Sequence, residues 1–122
     1  MDDWGAQDLA RGFIRAYNSL EQNKEYVNSL NVFPVPDGDT GTNMALTLRS
    51  AIRQMEQTEC KSVYDVAKAI SNGALMGARG NSGVILSQIF RGFARGLNGK
   101  DTLDTESLVS GFVNASETAY KA

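Results

Sequence analysis

The sequence predicts an all-α fold, an antiparallel helical bundle or barrel of about five helices. Apolar residues recur at spacings of three and four through most of the 122 residues. No segment reads convincingly as a strand. The breaks between the periodic segments are short and carry Gly, Pro, Asp and Asn, which suits neighbouring helices running antiparallel.

The first helix is expected from about Ala6 to Glu21, with Leu9, Phe13, Tyr17 and Leu20 on one face. A short helical piece, Lys24 to Leu30, follows. Pro34 and Pro36 then enforce extended backbone and interrupt helix. A second long helix is expected from near Thr42 to about Gln57, lined on one side by Met44, Leu48, Ala51, Ile52 and Met55. The third runs from about Ser62 to Leu75, with Ser62 and Asp65 spaced as a capping pair and Val63, Val66, Ala67 and Ile70 on its apolar face. The fourth is expected from near Ser82 to about Leu97, with Ile85, Ile89, Phe93 and Leu97 four apart, and Asn98-Gly99 ends it. Asp104 or Thr105 caps a fifth helix carrying Leu108, Val109, Phe112, Val113 and Tyr120. These stripes are read as core.

Composition narrows the classes of function. All 122 residues fit one domain, 42% of them are hydrophobic, and the net charge is -2. With scattered Lys and Arg and a pI near 5.0, neither a nucleic-acid binder nor a protein of anionic membrane surfaces is expected. The absence of His excludes His-based triads, His general bases and His-containing zinc sites within this chain. The lone Cys60 cannot form an internal disulfide, suits a reducing cytoplasm, and reads as an incidental thiol. No apolar run approaches the ~20 residues needed to span a bilayer, and the acidic start Met1-Asp-Asp-Trp4 is not a signal peptide. A cytoplasmic location is expected.

Two turns stand out. Asn31-Val-Phe-Pro-Val-Pro-Asp-Gly-Asp-Thr-Gly-Thr-Asn-Met44 places Asp37 and Asp39 one residue apart. A lone Asp-Gly-Asp is more often a solvated turn than a metal site. Two carboxylates held this close repel unless a cation lies between them, and Mg2+ takes one or two carboxylates plus phosphate oxygens and water. An EF-hand loop counted from Asp37 would need Glu at its twelfth position, which is Leu48. The second turn, Gly77-Ala-Arg-Gly-Asn-Ser-Gly83, also opens a helix. Helix starts present unpaired N–H groups and attract phosphate, and Ser82 could cap the helix or bond a phosphate oxygen. By itself this turn reads more simply as a helix connection, and it lacks the Gly-Lys-Ser/Thr of a Walker A loop. Two helices separate the turns, so alternating helices place both at one end of the bundle.

Asn31–Met44 together with Gly77–Gln88 (Gly-Ala-Arg-Gly-Asn-Ser-Gly-Val-Ile-Leu-Ser-Gln) resembles the nucleotide-binding domain of the bacterial fatty acid kinase A family, in the superfamily of the dihydroxyacetone kinase L subunit. The resemblance covers nearly all of the chain. It implies an eight-helix antiparallel barrel binding ATP or ADP and two Mg2+ at one end. Carried over, Asp37 and Asp39 would be the catalytic, metal-bridging carboxylates, with Asn31 as a third metal ligand. Thr40, Thr42, Asn43 and Met44 would lie beside the nucleotide, Ser82 and Gly83 would contact phosphate, and Leu86 would border the base. Arg79 is either a phosphate ligand or a partner in a helix-end salt bridge.

The family phosphorylates a fatty acid presented by a separate DegV-like carrier protein, giving an acyl phosphate. A carboxylate is already ionised at neutral pH, so a chain without His suits such a reaction. Thr40 stands where the dihydroxyacetone kinase subunit has His, which favours the fatty acid kinase branch. The alternatives are a dihydroxyacetone kinase L-type subunit and a non-catalytic helical interaction module. The chain stops after about five helices, so it is expected to be an N-terminal fragment of a longer protein, inactive alone, with exposed apolar faces that favour a homodimer.

Overall fold

The computed structural model describes residues 3–30 and 39–121, with backbone alone for 119–121. Five helices run in order: α1 Ala6–Leu30, α2 Thr40–Gln57, α3 Val63–Met76, α4 Gly80–Gly96 and α5 Thr105–Lys121. Among the described residues the only β feature is one isolated antiparallel bridge between Trp4 and Leu103. The all-α bundle expected from the sequence is the fold observed.

The helices alternate in direction, and backbone bonds at one end demonstrate it. Trp4, just before α1, exchanges two hydrogen bonds with Leu103 in the α4–α5 loop (2.8 and 2.7 Å). Two N–H groups at the start of α3, those of Val63 and Tyr64, donate to the Asp101 and Lys100 carbonyls of the same loop (3.1 and 3.3 Å). The starts of α1, α3 and α5 therefore share this end, and the starts of α2 and α4 share the other. Leu97 and Leu103, both fully buried, fix the loop to the core.

The core follows the predicted stripes of α2 and α3. Leu48, Ala51, Ile52 and Met55 pack against Val63, Val66, Ala67 and Ile70. From α1, Leu9 is buried and Phe13, Tyr17 and Leu20 lie against the cluster. Phe13 meets the rings of Phe90 and Phe93 edge-on, with centroids 5.7 and 6.3 Å away. Edge-to-face pairs align the positive ring edge with the negative ring face.

Three boundaries differ from expectation. The first helix and the short piece after it are one continuous helix, because Gln22 and Asn23 contain no breaker. Lys24 pairs with Glu21 (2.7 Å) and Asn23 bonds the Ser19 carbonyl (2.7 Å) across the junction. Helix α2 opens two residues early, with Asp39 as its N-cap, and α4 opens at Gly80 rather than near Ser82. The Ser62–Asp65 capping box is present: the Ser62 hydroxyl accepts from the Asp65 N–H (3.0 Å) and the Asp65 carboxylate accepts from the Ser62 N–H (3.3 Å). Of the two candidate caps for α5, Asp104 serves, its carboxylate accepting from the Ser107 N–H at 2.7 Å.

The α4 stripe holds at Ile89, Phe93 and Leu97 and fails at Ile85, and the α5 stripe is corrected more deeply. Ile85 is half exposed, and Val109, Phe112 and Val113 point largely to solvent (56, 63 and 49%). Tyr120 falls outside the described side chains. Helix α5 packs on α4 alone among the described helices, mainly through small residues, with the predicted Leu108 against the core and the Phe112 ring 5.9 Å from that of Phe93. A Cβ on Gly96 would lie 2.6 Å from the Gly111 Cα, and one on Gly92 would lie 2.7 Å from the Ala115 Cα. Such close backbone approach selects Ser107, Gly111 and Ala115 for the interface and turns the bulky side chains outward.

Two outcomes are expected from this packing. Gly96→Val will lower stability to urea by about 2–3 kcal/mol, since neighbouring backbone cannot yield to the new methyls. Gly12→Ala, where a Cβ meets nothing within 4 Å, will raise it by ~0.5–1 kcal/mol through helix propensity. A third outcome concerns the helix caps in acid. The Asp65 carboxyl is held below its ordinary value of 3.8, chiefly by the Lys61 N–H, and the Asp104 carboxyl likewise by the Ser107 N–H. A depressed folded-state value makes the carboxylates' stabilisation complete above the ordinary value and lost as pH falls through the folded one. Thermal melting should therefore weaken below pH 3.8, and Asp65→Asn with Asp104→Asn should flatten that part of the profile.

Candidate nucleotide site

The starts of α2 and α4 meet at the end of the bundle opposite the Trp4–Leu103 bridge. The Ser82 hydroxyl donates to the Thr40 carbonyl at 3.3 Å. Gly80 faces the carboxamide of Asn43 so closely that a Cβ there would collide with it. Gly80 also has φ of 64°, a left-handed conformation in which side chains are strained. The described part of the first turn, Asp39–Met44, and the second turn thus lie at one end, as the helix count predicts.

Thr47 holds them there. Its side chain is fully buried between the two helices. The hydroxyl donates to the Asn43 carbonyl (2.8 Å) and accepts from the Arg79 N–H (3.1 Å). Gly83 packs directly on the same oxygen. One hydroxyl therefore sets the height of the α4 start relative to α2.

A second tie comes from α1. The Asn28 carboxamide brackets Thr42: its oxygen accepts from the Thr42 N–H (3.1 Å) and its NH2 donates to the Thr42 hydroxyl (2.9 Å). Just above, Gly41 lies against the Lys24 carbonyl with no room for a Cβ. The last turns of α1 thus cap the first turn of α2 from outside, since Asp39 makes no side-chain cap bond there.

The predicted site residues fall into groups. Asn31 and Asp37 lie outside the described residues. Asp39 is exposed at the N-cap of α2, and its carbonyl accepts from the Asn43 N–H (2.9 Å). Thr40, Asn43, Ser82 and Gly83 come together across the α2–α4 contact, while Thr42 faces Asn28 of α1. Met44 is half-buried, and Leu86 packs against the core one turn beyond Ser82. Ser82 is not the N-cap of α4; that position is Arg79, which makes no side-chain cap bond. Of the two roles weighed for Arg79, no salt bridge is formed among the described residues. The Gly83 N–H is used within α4, donating to the Arg79 carbonyl (3.1 Å). The N–H groups of α4 that lack intrahelical partners are those of Gly80, Asn81 and Ser82, and in α2 those of Thr40, Gly41 and Thr42, the last of which donates to Asn28.

Two helix starts side by side, one headed by a carboxylate, can hold a phosphate chain bridged by a divalent cation. Among the described residues no three His, Cys, Asp or Glu side chains cluster as a metal site. The donor set here is instead Asp39 with neighbouring hydroxyls and amides, suited to a hard cation that keeps water and phosphate oxygens. Cys60 has no part in it. Burial pushes its thiol up, Asp65 adds to this, and such a thiol is a poor nucleophile.

Sequence reasoning missed Asn28 and Thr47. Thr47 had a signal: it falls three residues after Met44 and four before Ala51, a hydroxyl within an apolar stripe. Asn28 had none, being one polar residue among several near the end of a helix.

The chain belongs to the DAK2 domain family, whose family model matches residues 34–122. That family is kinase-related and binds ADP or ATP. The chain is also similar to an uncharacterized protein of Staphylococcus haemolyticus, 49% identical over 109 residues. Uncharacterized proteins of Staphylococcus aureus, in strains USA300 and NCTC 8325, match equally well, again 49% over 109 residues. The match takes in 89% of this chain but 20% of each relative, so the chain spans about a fifth of their length. No helix among the described residues is long and apolar enough to cross a membrane.

Thr47→Val keeps the shape but removes both hydrogen bonds, leaving the Arg79 N–H without its acceptor. It is expected to cost about 1–3 kcal/mol in urea unfolding. Chemical-shift changes should concentrate at Asn43 and Arg79–Gly83 rather than spread through the core.

Proposed function

We propose that this chain is the Mg-ATP-binding part of a fatty acid kinase, which transfers phosphate to a carrier-held fatty acid. The observation that carries the proposal is the meeting of the α2 and α4 starts, with Ser82 on the Thr40 carbonyl and Gly80 against Asn43. Asp37, Asp39 and Asn31 would hold two Mg2+ ions. The metals would neutralise the phosphate charge, while Thr40, Thr42, Asn43 and Met44 on one side and Ser82 and Gly83 on the other flank the nucleotide. Leu86 would border the base.

In the reaction a carboxylate oxygen of the fatty acid attacks the γ-phosphorus. The bond from that phosphorus to the bridging oxygen breaks, ADP leaves with the electron pair, and an acyl phosphate forms. No proton need be removed, consistent with a chain without His. The fatty acid would arrive on a DegV-like carrier, engaged through parts of the protein beyond these residues, and a cytoplasmic location suits the use of ATP. Membership of the DAK2 family supports equally an L-type subunit of a dihydroxyacetone kinase. Thr40, in place of that subunit's His, weighs toward the fatty acid branch. A substrate screen with carrier-bound fatty acid and dihydroxyacetone separates the two.

Calorimetric titration of ADP and a non-hydrolysable ATP analogue, with and without Mg2+, tests the site. Binding should require Mg2+ and disappear in the Asp37→Ala/Asp39→Ala variant. Metal-independent binding, or binding that survives both substitutions, overturns the metal-site assignment.

A further inference from the structure

The Asn28–Thr42 contact fixes more than the position of α2. A backbone N–H can only donate, so the Asn28 atom 3.1 Å from the Thr42 nitrogen must be its carbonyl oxygen. The other end of the carboxamide, 2.9 Å from the Thr42 hydroxyl, is then the NH2. An NH2 has no acceptor capacity, so the hydroxyl oxygen must accept, and its proton is turned away from Asn28. Thr42 lies in the first turn of α2, beside the N–H groups of Thr40 and Gly41 that lack helical partners. We infer that Asn28 is a positioning residue that turns the Thr42 hydroxyl proton away from itself and toward a phosphate oxygen of the bound nucleotide.

The inference rests on the nucleotide-binding reading and deepens it. It brings α1, outside the residues matched by the family model, into the recognition of the phosphate chain. It also predicts that Asn28 acts only through Thr42.

Substituting Asn28→Asp tests this with minimal change of shape. The Asp carboxylate still accepts from the Thr42 N–H, so the helix start stays capped. It cannot donate to the hydroxyl; it draws the hydroxyl proton to itself and away from the ligand. Affinity for ADP with Mg2+ should be compared in four proteins: wild type, Asn28→Asp, Thr42→Val and the double variant. Asn28→Asp should weaken ADP by about tenfold or more, the worth of a hydrogen bond to a charged group. In the Thr42→Val background the same change should cost little further, and Thr42→Ser, which keeps the hydroxyl, should bind nearly as wild type does.

Equal losses in both backgrounds would mean that the new charge acts by simple repulsion, and would overturn the inference. So would unaltered ADP affinity in Asn28→Asp or in Thr42→Val. Absence of Mg-dependent ADP binding by the wild type would overturn the nucleotide reading itself, and this inference with it. Circular dichroism checks folding in every variant. If Asn28→Asp does not fold, Asn28→Ala enters the same cycle with the same expected non-additivity.

Discussion

The geometry of the candidate site depends on one buried hydroxyl. Thr47 is enclosed between α2 and α4, and no water can replace its partners. A buried hydroxyl must find bonds within the protein or lose the interactions it had in water. Here it finds two, the Asn43 carbonyl on its own helix and the Arg79 N–H on the next segment. Apolar packing alone would let two helices slide along each other at small cost. A directional bond to a backbone N–H does not, so the α4 start is held at a fixed height beside the α2 start.

Glycine completes this arrangement by removing obstacles. Gly83 lets α4 settle on Thr47, and Gly41 lets α2 settle on the Lys24 carbonyl. Gly73 plays the same part between α3 and α2, where a Cβ would stand 2.8 Å from the Ala51 Cα. The Ser50 hydroxyl then reaches the Gly73 carbonyl at 2.9 Å. Close approach brings backbone groups of one helix within reach of polar side chains on another. The bundle is therefore bound by directional contacts at the site end and by ring and aliphatic packing through its middle.

Much of this was legible in the sequence, for reasons that differ between elements. The stripes of α2 and α3 are regular because both helices are covered on one broad face, and burial there follows the period of the helix. The capping box at Ser62 and Asp65 is a local interaction, readable from four residues. The stripe of α5 misled, because apolar periodicity reports what a helix could bury and not which neighbour is present to cover it. The contact that α5 does make is built mainly from Ser107, Gly111 and Ala115, which carry little hydrophobic signal, and only Leu108 of the stripe lies against the core. At the site, the two turns were visible as unusual composition, and counting helices put them at one end. Their ties to Asn28 and Thr47 were not visible, since each joins positions whose pairing only the packed helices define.

Helix α1 has a consequence for where this domain begins. The family model starts at residue 34, after α1 has ended. Yet α1 supplies Leu9 to the core, sets Phe13 edge-on to Phe90 and Phe93, and caps the first turn of α2 with Asn28. The physical unit is thus larger than the recurring sequence unit. An expression boundary placed at the edge of the matched region would strip the α4 phenylalanines of their cover and leave the α2 start without its outside cap. Truncations meant to isolate the nucleotide site should keep the chain from Trp4 onward, so that the bridge to Leu103 closes the far end.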